Sequence, residues 1–126
     1  MKETEITDLL YQWEESYKKG LLSFWSLFSL TQRPMYAYEM KEEIIEFSQG
    51  SISADDNSIY RALKRFTISG LIEGKMYPSP SGPDRKYFSL TPLGTDLLRQ
   101  FIKRNILVFQ NKKFEKAIQS FLDTNE

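Results

Sequence analysis

The 126-residue chain has no cysteine and no histidine. It therefore lacks thiolate and imidazole ligands for zinc, the Ser-His-Asp and Cys-His nucleophile pairs, disulfide staples, and the common proton shuttle at neutral pH. Long apolar runs are absent too: the richest stretch, Leu21 to Leu30, is too short to cross a bilayer. The start, Met1-Lys2-Glu3-Thr4-Glu5, is polar and acidic where a secretory signal is basic and then apolar. No glycine-rich phosphate loop, metal-ligand spacing, repeat, low-complexity tract or long linker is found. The expectation is a cytoplasmic protein that does not enter the membrane, is not an enzyme and needs no metal or other cofactor.

What is present is apolar material for one core, 40% hydrophobic and 14% aromatic residues, at the length of a single domain. Net charge is zero, but its distribution is lopsided. Residues 1–56 carry 5 Lys/Arg against 11 Asp/Glu, a balance of −6, whereas residues 57–116 carry 12 against 4, a balance of +8.

Ile6, Leu9, Leu10, Trp13 and Tyr17 recur at helical spacing, a narrow apolar stripe on a helix whose other faces are polar. Gly20 is expected to end or interrupt it. Leu21 to Leu30 then reads as a short helix buried on most sides and closed by Pro34, with Trp25 filling the core. Met40, Ile44 and Phe47 define the inner face of the next helix, and Glu39, Glu42, Glu43 and Glu46 its solvated face. Ser53 or Asp55 is placed to cap a helix that runs to Gly70. On that helix Ile59, Ala62, Leu63 and Phe66 share one side; Asn57, Arg61 and Lys64 share the opposite one, flanked by Ser58 and Arg65.

Leu71 to Tyr77 and Arg85 to Leu90 are strand-like, and the Pro-, Ser- and Gly-rich segment 78–84 between them is turn chemistry. Thr91-Pro92 starts a long last helix, with a break near Asn111. There Leu93, Leu97, Phe101 and Val108 form one apolar strip and Leu98, Ile102 and Phe109 a second. The fold class is thus mainly α with a two-stranded β-hairpin. Three helices followed by a hairpin is the order of a winged helix-turn-helix. The chain divides into an N-terminal helix (1–19), a winged-helix core (20–91) and a C-terminal helix (92–126), together one domain.

In that arrangement the helix from Asp55 enters a DNA major groove and the hairpin touches neighbouring backbone. The candidate DNA contacts are Asn57, Ser58, Tyr60, Arg61, Lys64 and Arg65 on the helix, and Lys75, Ser81, Gly82, Arg85 and Lys86 on the hairpin. A merely solvated basic face is the plain alternative for the helix alone. The nearby hairpin cations tilt the balance toward double-stranded DNA.

Two segments also resemble the PadR-like family of transcriptional regulators. Ser58-Ile59-Tyr60-Arg61-Ala62-Leu63-Lys64-Arg65-Phe66 with Gly70-Leu71-Ile72-Glu73 is similar to that family's recognition helix and following strand. Gly82 through Gly94, reading Gly-Pro-Asp-Arg-Lys-Tyr-Phe-Ser-Leu-Thr-Pro-Leu-Gly, resembles its wing and the start of its last helix. The chain departs at Tyr36-Ala37-Tyr38, where the family usually has a glycine between the aromatics. It departs again at Asn57-Ser58-Ile59-Tyr60-Arg61, where Gly-Thr-Leu-Tyr-Pro is usual. The resemblance implies a homodimeric repressor released from a pseudo-palindromic operator by a small molecule.

The residues themselves also ask for a partner. Ile6, Leu9, Leu10, Trp13 and Tyr17, with Leu98, Ile102 and Phe109 of the last helix, are the expected dimer interface, because a small core cannot cover both surfaces. The family resemblance further implies a planar aromatic effector between subunits, for which Trp13, Phe101 or Phe109 could supply the surface; an aromatic stripe that simply packs is the plain alternative, and no effector is assigned. A winged-helix module that binds only proteins is the competing function.

Overall fold

The apolar period of the first thirty residues produces one helix, α1 (Glu3–Ser29), in the computed structural model, which describes residues 3–124. Met1 and Lys2, the start of the polar leader, and Asn125 and Glu126, the end of the acidic tail, lie outside the described residues. Gly20 does not break α1, contrary to expectation: one glycine costs a helix about 1 kcal/mol, and no proline or cap adds to it. The C-terminal half of α1 supplies the packing that holds the helix, with Ser26, Leu27 and Ser29 buried, and Leu30 just beyond it buried as well. Its serines are tolerated there because each hydroxyl donates back along the helix, Ser26 Oγ to the Leu22 carbonyl and Ser29 Oγ to the Ser26 carbonyl, both at 2.7 Å.

Helix α2 (Ala37–Phe47) buries Met40 and Ile44 completely, and α3 (Asp56–Ile68) buries Ile59, Ala62 and Leu63 against them. Phe47 is half-buried, stacked on an equally half-buried Trp25 with ring centres 6.0 Å apart. Strands β1 (Ile72–Ser79) and β2 (Gly82–Leu90) pair antiparallel, Ile72 opposite Leu90 and Tyr77 opposite Arg85. Both strands outrun their expected ends. The register slips by one residue after Tyr77, so that Ser79 faces Gly82 and only Pro80 and Ser81 make the turn. Pro78 and Pro83 lie inside strands without harm, since each strand of a two-stranded ribbon has an unpaired edge. Met35 joins as a one-residue third strand, exchanging both backbone hydrogen bonds with Phe88.

Thr91 caps α4 (Pro92–Phe101), accepting from the Gly94 N–H at 3.1 Å while donating to the Gly70 carbonyl at 2.6 Å. Gly94 is obligatory, because a Cβ at this position would run into the Leu71 carbonyl oxygen. Beyond α4 the single long helix expected from the sequence becomes a π-helical turn (Ile102–Ile106), a 3-10 turn (Leu107–Gln110), an extended Asn111 and a separate helix α5 (Lys112–Thr124). The break near Asn111 has a local cause: its side chain accepts from the Phe114 N–H at 2.8 Å and so starts a new helix.

The two apolar strips of this region divide otherwise than expected. Leu98 is buried in the chain's own core and Ile102 packs against it, whereas Leu93, Leu97 and Phe101 lie toward solvent. Leu98 is therefore withdrawn from the expected dimer surface, because α4 docks on α1 and β2 through that side. No described helix is long and apolar enough to cross a membrane.

Candidate functional site

Four of the cations between residues 57 and 116, Arg61, Lys64, Arg85 and Lys86, lie on or beside one side of α3. Asp55 begins the helix, its carboxylate accepting the Ser58 backbone N–H at 2.7 Å. That bond, reinforced by the Ser58 hydroxyl, Arg61 and Lys41, holds the Asp55 carboxyl below its ordinary pKa of 3.8. Gly70, at φ +76°, ends the helix with the left-handed turn that glycine favours. Between these ends Ile59, Ala62 and Leu63 face the core, so Asn57, Arg61 and Lys64 are forced outward and are exposed. Ser58 is half-buried and receives Arg61 Nη2 on its hydroxyl at 3.2 Å.

The hairpin leans over the same helix. A groove of about 600 Å³ separates them, lined by Tyr36 and Tyr38 at the start of α2, by Tyr60, Lys64 and Thr67 of α3, and by Asp84, Arg85 and Lys86 of β2, with Leu63 and Phe88 among its apolar contacts. The Arg85 guanidinium lies 4.5 Å from the centre of the Tyr36 ring, and Lys86 Nζ 5.7 Å from that of Phe88. Glycine at position 74 gives the Lys86 stem its room, since a Cβ there would press on it.

Of the residues expected to meet DNA, Tyr60, Lys64, Arg85 and Lys86 thus share one groove, with Arg61 and Asn57 on the adjoining outward face. Ser81 and Gly82 are exposed at the hairpin tip, Gly82 as the first residue of β2 rather than part of the turn. Two others do not join. Arg65 turns toward α1, donating from Nη2 to Ser23 Oγ at 3.1 Å and lying over Phe66, because its angular position on α3 faces that helix. Lys75 sits opposite Tyr87 on the exposed ribbon and is not among the groove's residues.

Sequence reasoning passed over Tyr36, Tyr38 and Asp84. The aromatic pair around Ala37 was visible as a motif, but only the chain's return from α1 brings it beneath the hairpin. The glutamates of α2 serve another purpose: Glu39 and Glu43 pair with Arg33 at 3.7 and 3.5 Å. Among the described residues no group of three or more Asp or Glu is placed to hold a metal ion.

The surfaces expected to pair two copies are open. Ile6, Leu9, Leu10, Trp13 and Tyr17 are each about half or more exposed, Trp13 at 76%. Phe109 is exposed and leans on Phe114, ring centres 5.6 Å apart, while Phe101 stacks on Phe24 at the same separation. Phe24, Leu27, Leu97, Leu98 and Phe101 line an almost wholly apolar cleft of about 170 Å³ between α1 and α4, with Gly20 also on its wall.

The sequence model of the transcriptional regulator PadR-like family matches residues 27–100. A PadR-like transcriptional regulator from Bacillus cereus is 28% identical, covering 82% of this chain and 93% of its own, with a TM-score of 0.62. A PadR family regulator from Eggerthella lenta is 20% identical over 97% of this chain and 99% of its own, TM-score 0.66. The structure of Bacillus subtilis PadR in complex with operator DNA is 21% identical, covering 83% of this chain and 59% of that one, TM-score 0.61. Among curated proteins no match was found.

Proposed function

Because this chain belongs to the transcriptional regulator PadR-like family, we propose that it controls transcription by binding duplex DNA through α3 and the β1–β2 wing. The observation that carries this function is the shared groove of Lys64, Arg85 and Lys86, with Arg61 and Asn57 on the adjoining outward face of α3. Side chains on the exposed face of a helix reach base edges in the major groove, and wing cations reach phosphates alongside. Arg61 and Asn57 are assigned to bases, and Lys64, Arg85 and Lys86 to phosphates. Arg65 and Lys75 are assigned lesser roles, since neither faces this groove. In support, a structural relative has been determined with operator DNA.

The finer assignment is a homodimeric repressor formed from one domain, residues 1–126, in which the winged-helix core 20–91 stands between two dimerisation elements. Support comes from unburied apolar surface on both. The first half of α1 exposes the stripe from Ile6 to Tyr17, and α5 exposes Phe114, Ile118 and Leu122. A 13-residue helix that packs on little else is marginal in water by itself. The first half of α1 is acidic, with Glu3, Glu5, Asp8, Glu14 and Glu15, whereas the stretch from Arg99 to Lys116 is basic, with Arg99, Lys103, Arg104, Lys112, Lys113 and Lys116 against Glu115 alone. A two-fold dimer sets its recognition helices about 34 Å apart, hence a pseudo-palindromic site. A small aromatic effector near Phe101 would act by changing that spacing, and the apolar cleft beside Phe24 is the surface available to it.

Selection of genomic fragments on the purified chain, followed by footprinting, tests the function. Protected sites with two related half-sites are expected, lost on charge reversal by Arg61→Glu with Lys64→Glu. Absence of any protected fragment, or protection that survives the reversal, would instead favour a protein-interaction module.

A further inference from the structure

We infer that Tyr36 is a positioning residue for DNA binding: its ring holds Arg85 in the groove, so that the guanidinium meets a phosphate already oriented. The inference rests on the DNA-binding function proposed above and adds to it a residue that need not touch DNA. Arg85 sits on the strand face opposite Lys86, the face it shares with Tyr87 and, across the ribbon, Tyr77. A long flexible cation in that position would sample many rotamers and lose them on binding. Here the Tyr36 ring lies 4.5 Å beneath the guanidinium and confines it. Tyr36 is itself braced. Its ring meets Tyr87 edge-on at 5.3 Å, and Tyr87 meets Tyr77 in the same way at 5.5 Å. The preceding residue, Met35, is bonded to Phe88 through both backbone groups, so the platform and the wing form one piece.

The role belongs to the ring and is separable from the fold. Tyr36 is tied to the first turn of α2 through its backbone, its N–H donating to Glu39 Oε1 at 3.3 Å and its carbonyl accepting from the Met40 N–H at 3.1 Å, bonds that leave its side chain free to be changed to any residue but proline. Tyr36→Phe keeps the ring, and Tyr36→Leu keeps apolar bulk without it.

The test uses the full chain and a duplex selected on the wild type from a randomised pool. Tyr36→Leu and Arg85→Ala are each expected to weaken binding about five- to tenfold, but only Arg85→Ala to reduce the slope of log K against log salt, by about 0.9, because in Tyr36→Leu the guanidinium still reaches the phosphate from a less ordered start. The double variant is expected to be no worse than either, and Tyr36→Phe to match the wild type. Binding by Tyr36→Leu equal to the wild type, or additive losses in the double variant, would mean that Tyr36 does not act through Arg85 and would overturn the inference. Side-chain NMR of Arg85 without DNA separates the two levels. An upfield ring-current shift is expected in the wild type and Tyr36→Phe and not in Tyr36→Leu. If that shift is present but the wild type binds no duplex, the DNA-binding function falls and the positioning role with it. If duplex is bound but the Arg85 resonances do not respond to Tyr36→Leu, the positioning role alone falls.

Discussion

The winged-helix core and the two flanking arms use the same apolar vocabulary to opposite ends. In the core Met35, Met40, Ile44, Ile59 and Leu63 are removed from water almost completely by their own chain. In the arms Trp13, Tyr17, Phe109 and Ile118 remain exposed, at similar helical spacing. The difference lies in topology. Elements α1 to β2 return on one another within a few residues, whereas the first half of α1 and all of α5 project beyond the last element that could cover them. Periodicity shows that a helix has an apolar face, and only the path of the chain decides whether that face is satisfied internally or by a partner.

Changes in the core should be felt in the isolated chain at any concentration. Met40→Ala removes a fully buried side chain and is expected to cost about 2–5 kcal/mol in urea unfolding. Gly94→Ala should cost about 1–3 kcal/mol, because the new methyl meets backbone at Leu71 that cannot yield without moving α4. At the helix cap, Asp55→Ala is expected to destabilise the chain less than either core change, seen as a smaller drop in the urea midpoint.

The cap also has a pH signature. A carboxyl held below its ordinary pKa of 3.8 contributes stability above that value and loses it as pH falls through the lowered one. The wild type should therefore lose part of its stability below about pH 4 that Asp55→Ala lacks throughout, measured by thermal unfolding across pH.

Changes in the arms should behave in reverse. Trp13→Ser with Ile118→Ser is expected to shift the unfolding of a dilute monomer by less than about 0.5 kcal/mol, yet to move the sedimentation mass from dimer toward monomer. A variant that unfolds the dilute chain as severely as Met40→Ala would erase the distinction between core and arms.

Much of this organisation was legible in the sequence because local rules and tertiary structure agree there. Asp55, Gly70, Thr91 and Pro92 punctuate α3 and α4 where capping chemistry puts them. The failures come where distant packing overrules a local signal. Gly20 looked like a stop until the half of α1 beyond it was buried. Leu98 and Phe101 fell on separate strips with nothing in the spacing to say which strip would dock, and the packing of α4 turned the first inward and left the second largely outward. At the candidate site, Lys64, Arg85 and Lys86 were readable as cations of a helix and a hairpin, which the fold brings to one groove. The role of Tyr36 was not, since it depends on a contact between residues 49 positions apart.

The salt dependence of duplex binding, compared between the wild type and Lys64→Ala/Arg85→Ala/Lys86→Ala, tests most directly whether helix and wing face DNA together. Neutralising three shared phosphate contacts should lower the slope of log K against log salt by about 2.7, at roughly 0.9 per contact. An unchanged slope in a folded triple variant would contradict the assignment of this groove to DNA.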